Sequence, residues 1–199
     1  MTWVLTIMIG YLAGSVPVSL LVARSHGVDL RRTADGNPGA WNALEQLGWR
    51  RAWPCFVGDA LKGAIGAGAG LALSGGDVYV AYAGGGAAML GHAFPVFARF
   101  VGGKSIMTFV GAMFVATPLA AVLALALCVL ASLARRSFAV GARAGVFGVV
   151  PLQLAVDRVE HVAATGVLMT LIGALFGLRW LQGRRSVRAT SARAAAPPT

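Results

Sequence analysis

Long apolar runs separated by short polar or glycine-rich turns organise this chain, covering about residues 3–23, 53–73, 78–98, 105–134, 138–156 and 161–181. Runs of this kind match the ~20 residues that a helix needs to cross the ~30 Å hydrocarbon core of a bilayer. The fourth run is the exception. As one helix it would reach roughly 43 Å, and Thr117-Pro118 lies near its middle. Proline there suits either a kinked helix or a turn between two shorter ones.

Positive charge chooses between them. With the fourth run split, Arg24, Arg31, Arg32, Arg50, Arg51, Arg99, Lys104, Arg135, Arg136, Arg143 and the tail from Arg179 to Arg193 fall on one side, and Arg158 falls on the other. An unsplit run would carry Arg135 and Arg136 across the membrane, against the preference of Lys and Arg for the cytoplasmic face. The sequence therefore predicts an all-α polytopic membrane bundle of about seven transmembrane helices, N-terminus outside and C-terminus cytoplasmic. One transmembrane domain is expected over residues 1–185, followed by a basic, disordered cytoplasmic tail over 186–199, where apolar periodicity stops. The first run reads as a retained helix and not a cleaved signal, because no positive residue precedes it and no Ala-x-Ala exit follows.

Composition narrows the class further. Hydrophobic residues make up 57% of the chain and charged residues 12%, against ~45–50% apolar in ordinary soluble domains. The net charge of +10 comes from short basic groups spread between apolar segments. It does not form one basic domain with interleaved aromatics, so no nucleic-acid partner is expected. The bilayer is the expected partner. Cys55 and Cys128 sit in apolar runs without metal or redox spacing and read as core residues. Gly66, Gly68, Gly70, Gly84, Gly85 and Gly86 read as small-residue faces that let helices approach.

The polar residues gather at the side assigned as cytoplasmic. Gly102-Gly103-Lys104 lies between two long apolar runs: the glycines allow close backbone approach to a ligand and the lysine places a cation beside a low-dielectric wall. It reads either as a phosphate-binding turn or as a loop lysine anchoring a helix at headgroup level. The first large loop carries Asp35-Gly36-Asn37-Pro38-Gly39-Ala40-Trp41-Asn42, turn residues with amides able to bond phosphate or glycerol oxygens. Asp59 and Lys62, at i and i+3, are expected to face each other, with a structural ion pair favoured over catalysis. His92 near the end of the third run reads either as a general base or as a packing histidine.

Taken together, Gly14-Ser15-Val16-Pro17 with Ala23-Arg24, Gly36-Asn37-x-Gly39-Ala40-x-Asn42, Gly58-Asp59-x-x-Lys62-Gly63, Gly91-His92 and Gly102-Gly103-Lys104 with Thr108 closely resemble the bacterial PlsY family. The match is dense over about residues 8–118 and thin afterwards. The resemblance implies a seven-helix inner-membrane enzyme, active at the cytoplasmic face, that moves a fatty acyl group from acyl phosphate to glycerol 3-phosphate, yielding lysophosphatidic acid. It implies no metal and no organic cofactor. Carried over by motif, Lys104, Gly36, Asn37, Gly39, Asn42, Gly102 and Gly103 would bind phosphate and glycerol oxygens, with Arg24 at the pocket rim; Lys104 and His92 are the catalytic candidates.

The departures from the family pattern bear on activity. Asp35 stands where the family has Ser, Trp41 where it has Thr and Glu45 where it has Arg; Ala142 replaces a serine, and of a C-terminal His-x-x-Asn-x-x-Arg pattern Arg179 alone remains near Trp180. Two added carboxylates oppose a dianionic substrate, since unit charges ~4 Å apart interact by about 4 kcal/mol at an effective dielectric near 20. Two readings follow: an acyltransferase of this family, with an altered substrate as one form of it, or a degenerate homologue that binds a lipid, acyl phosphate or a membrane partner. A small transporter is less favoured, since no inverted repeat is apparent.

Overall fold

The computed structural model describes residues 1–194, and of 182–194 the backbone alone. It is all helical among the described residues: α1 (Thr2–Ser15), α2 (Val18–Ser25), α3 (Ala40–Leu47), α4 (Trp49–Ser74), α5 (Val78–Ala93), α6 (Ile106–Ala116), α7 (Pro118–Arg135), α8 (Phe138–Val156) and α9 (Val159–Ala194). Of the tail expected from residue 186, the helix includes the stretch to Ala194, and residues 195–199 lie outside the described residues.

Five stretches are long and apolar enough to cross a membrane, namely Thr2–Ser25, Trp49–Ser74, Pro118–Arg135, Phe138–Val156 and Val159–Leu181. Between the second and third of them lie two shorter helices, α5 with 16 residues and α6 with 11. The break at Thr117-Pro118 is present: Thr117 leaves helical geometry at φ −141°, and Pro118 opens α7 at its first turn, where its missing N–H costs nothing. A second break goes beyond the sequence pattern. The first apolar run is interrupted at Val16-Pro17, with Val16 extended at φ −65°, ψ 117°, because a proline disfavours helical geometry at the residue before it. The interruption turns α2 so that Ser19 meets α4. The third run also ends early: α5 stops at Ala93, and Val96–Ala98 forms a 3-10 turn after Pro95.

Helices α1, α4, α5 and α6 pack through small residues. A Cβ on Gly66 would run into the carbonyl oxygen of Gly84, and one on Gly84 into that of Gly66. Backbones this close gain dispersion contact that a larger side chain would forbid. Behind them Met89, Phe109, Met113 and a set of alanines fill the core. Outward-facing Leu125, Leu130, Leu133, Phe147 and Val167 are exposed, the surface a bilayer would cover. At the end of the bundle away from Lys104, Gln153 Nε2 donates to Tyr82 Oη at 3.0 Å and to Asp157 Oδ2 at 3.0 Å, and Thr165 Oγ1 donates to Gln153 Oε1 at 2.6 Å. This buried network ties α5, α8 and α9.

Candidate active site

The end of α5, the middle of α4, the start of α2 and the loop 94–105 converge on a cleft lined by Pro17, Ser19, Asp59, Lys62, His92 and Gly103. One helical turn apart on α4, Lys62 Nζ donates to Asp59 Oδ1 at 2.7 Å. Ser19 Oγ donates to Asp59 Oδ2 at 3.0 Å, and Lys62 Nζ lies 3.3 Å from His92 Nδ1. All four side chains are buried. A single buried charge here would be costly, and mutual pairing with the serine and imidazole offsets that cost. The Asp59–Lys62 pair is where the i, i+3 spacing put it; the addition of His92 and Ser19 is a tertiary feature.

The glycine turn closes onto the end of α5. The backbone N–H of Gly102 donates to Ala93 O at 3.1 Å and that of Gly103 to His92 O at 3.1 Å, satisfying carbonyls left open at the C-terminus of α5. A Cβ on Gly102 would run into His92 O, and one on Gly103 into His92 Nε2. The two glycines therefore let the loop close onto His92. Lys104 follows them directly in the chain, and its Nζ lies 2.8 Å from Asp35 Oδ2 and 4.9 Å from the centroid of the Phe176 ring of α9.

Asp35 sits in the loop that the family motif singled out. Burial raises its carboxyl, but the hydrogen bond from Lys104, the Asn37 N–H and the Lys104 charge outweigh burial and hold it below the usual carboxylate range. Gly36, at φ +71°, allows the turn. Asn37 Oδ1 is buried and has no hydrogen-bond partner among the described residues. Asn42, which the resemblance places among the residues binding phosphate and glycerol oxygens, hydrogen-bonds within the loop: its amide nitrogen faces Leu30 O and Asn37 O at 3.0 Å and Thr33 O at 3.3 Å, and its oxygen accepts from Thr33 Oγ1 at 3.2 Å. It staples the loop on which Asp35, Gly36 and Asn37 ride. Gly39 caps α3, and Arg24 is exposed in the last turn of α2.

Three features lie outside what sequence reasoning reached. Arg31 Nη2 donates to the carbonyls of Ala98 and Val101, tying the first loop to the loop that bears Lys104. Arg179 Nη2 donates to Ala93 O at 2.8 Å, docking α9 at the end of α5. Glu45 accepts from the Trp41 indole Nε1 at 2.7 Å, and the Trp41 ring stacks on Phe138 with centroids 5.7 Å apart. Two departures from the family pattern thus pair with one another.

Comparison with known proteins accords with this arrangement. The family model described as glycerol-3-phosphate acyltransferase matches residues 4–187. A glycerol-3-phosphate acyltransferase of Thermus thermophilus is 37% identical over 170 residues, covering 84% of this chain and 83% of that protein. One of Geotalea daltonii is 43% identical over 130 residues, covering 65% and 66%. The crystal structure of PlsY (YgiH), an integral membrane glycerol 3-phosphate acyltransferase, in its glycerol 3-phosphate form superposes with a TM-score of 0.77 at 28% identity, covering 92% of this chain and 94% of that one. Its lysophosphatidic acid form gives 0.74 at 27% identity over the same shares. The motifs around Lys104, the helical membrane architecture and these matches make the chain a member of the glycerol-3-phosphate acyltransferase family.

Proposed function

We propose that this protein transfers a fatty acyl group from acyl phosphate to glycerol 3-phosphate, forming lysophosphatidic acid at the cytoplasmic face of the inner membrane. The observation that carries this reading is the position of Lys104, paired with Asp35 of the first loop, directly after the Gly102-Gly103 turn that lines a cleft with His92, Asp59 and Lys62. In the reaction a glycerol hydroxyl oxygen bonds to the acyl carbon, the bond from that carbon to the phosphate oxygen breaks, and inorganic phosphate leaves with the electron pair and the hydroxyl proton. The donor is already activated, so positioning and charge stabilisation supply the barrier reduction without a protein nucleophile. Lys104 holds phosphate, Gly36 and Asn37 present the loop edge beside it, and Arg24 borders the rim. Charge distribution supports seven spans with the N-terminus outside and the tail inside, within one domain over residues 1–185. Membranes bearing the protein make lysophosphatidic acid from the two substrates, and Lys104→Ala abolishes it.

One observation favours a second reading, a homologue that binds without turnover: the Lys104 ammonium is already engaged by Asp35. Growth of a cell lacking its own acyltransferase, sustained by this chain, decides against it.

A further inference from the structure

His92 is 7% exposed, and it lines the cleft. On its Nδ1 side stands Lys62 Nζ at 3.3 Å, while the Asp59 carboxylate is 3.5 Å away. An ammonium has three N–H donors and no lone pair, so a hydrogen bond between Lys62 and Nδ1 requires Nδ1 to be the acceptor. The 3.5 Å separation to Asp59 is too long for a good N–H···O bond, whereas the Lys62 contact is shorter. The imidazole proton is thereby assigned to Nε2. That nitrogen lies against Gly103, where a Cβ would displace it.

We propose that Asp59 and Lys62 lock His92 in its neutral Nε2–H tautomer, so that His92 acts in this cleft as a hydrogen-bond donor to the oxyanion forming on the acyl carbonyl, and not as a general base. The assignment rests on the acyl-transfer reading above. A neutral, fixed N–H held in a buried site gives little to an uncharged ground-state carbonyl. It gains strength as negative charge develops on that oxygen. Asp59 and Lys62 are positioning residues here; His92 touches the substrate. A base at this position would need a free lone pair, and the Lys62 contact occupies the one on Nδ1.

The tautomer is read directly by ¹⁵N NMR of histidine-labelled protein in lipid nanodiscs, with His92→Gln identifying the resonances against those of His26 and His161. Protonated Nε2 with unprotonated Nδ1 is expected at neutral pH, Lys62→Met should lose that preference, and a long-chain acyl phosphate should shift the Nε2–H signal. A protonated Nδ1, an imidazolium or an unmoved Nε2–H would overturn the proposal, whether or not turnover is seen. In the acyltransferase assay, His92→Ala should lower kcat about 100-fold with KM little changed. By contrast His92→Gln, which keeps an N–H but no basicity, should stay within about tenfold of the parent. Equal loss in both variants, in protein with a native melting profile, means a base. A raised KM at constant kcat means a ground-state phosphate contact. Either result refutes the oxyanion role, and a silent parent enzyme refutes the acyl-transfer reading while the NMR result stands separately.

Discussion

Asp35 Oδ2 lies 2.8 Å from Lys104 Nζ, an ion pair joining two loops 69 residues apart in the chain. The lysine is partly buried and the aspartate more than half exposed, a setting in which such a pair is worth about 1 kcal/mol or less. On the proposed reading, a substrate phosphate would compete with that carboxylate for the same ammonium. Replacing Asp35 by Ser should therefore lower the KM for glycerol 3-phosphate, by up to about fivefold, with kcat little altered; an unchanged or raised KM would show that Asp35 does not compete. Steady-state kinetics on membranes checks it.

The buried Asp59–Lys62–His92 set predicts a strong asymmetry between single and paired changes. Asp59→Asn leaves the Lys62 ammonium without its counterion and should cost about 3–5 kcal/mol of stability. Asp59→Asn combined with Lys62→Met removes both charges, and it should recover much of the loss. Thermal melts of the three proteins in one detergent test this; an additive double variant would speak against the coupling.

At the opposite end, Asp157 accepts from Gln153 Nε2 at 3.0 Å and lies 2.8 Å from His161 Nδ1. Burial raises its carboxyl, but the hydrogen bonds from Gln153, His161 and the Arg158 N–H outweigh burial and hold it below its ordinary value of 3.8. A lowered folded-state value means that this carboxylate stabilises the fold above the ordinary value, and that the contribution fades as pH falls through the lowered one. Asp157→Asn should lower Tm by a few degrees near pH 7, for about 1 kcal/mol lost. The gap to the parent should close below about pH 4. A gap independent of pH would remove the carboxylate from the account.

Gly84 and Gly66 face each other with each carbonyl where the other's Cβ would stand. Gly84→Ala should destabilise by about 1–3 kcal/mol through overpacking, whereas Gly68→Ala, where a Cβ meets nothing within 4 Å, should be neutral or slightly stabilising in its helix. Paired melts separate the two.

Local chemistry makes part of this legible in the sequence. Pro118 announces the split between α6 and α7 because a proline cannot continue a hydrogen-bonded run, and the i, i+3 spacing of Asp59 and Lys62 announces their pair. Pro17 has the same chemistry, but it lies in an unbroken apolar run that reads as one span, so the turn of α2 toward Asp59 stays hidden. The direction of an amide or carboxylate in a loop depends on tertiary neighbours. Asn42, which by motif binds substrate oxygens, holds the loop through three carbonyls, and Glu45, which reads as opposing phosphate, accepts from Trp41. The sequence locates the Gly102-Gly103 turn, yet only the fold shows that its amides close on α5 and that Lys104 pairs with Asp35.

The most direct test of the central claim is formation of lysophosphatidic acid from long-chain acyl phosphate and glycerol 3-phosphate by purified protein in nanodiscs, run beside a folded Lys104→Ala variant. The site predicts product that depends on both substrates and is lost with Lys104. No product from protein with a native melt, or equal product from the variant, would contradict it.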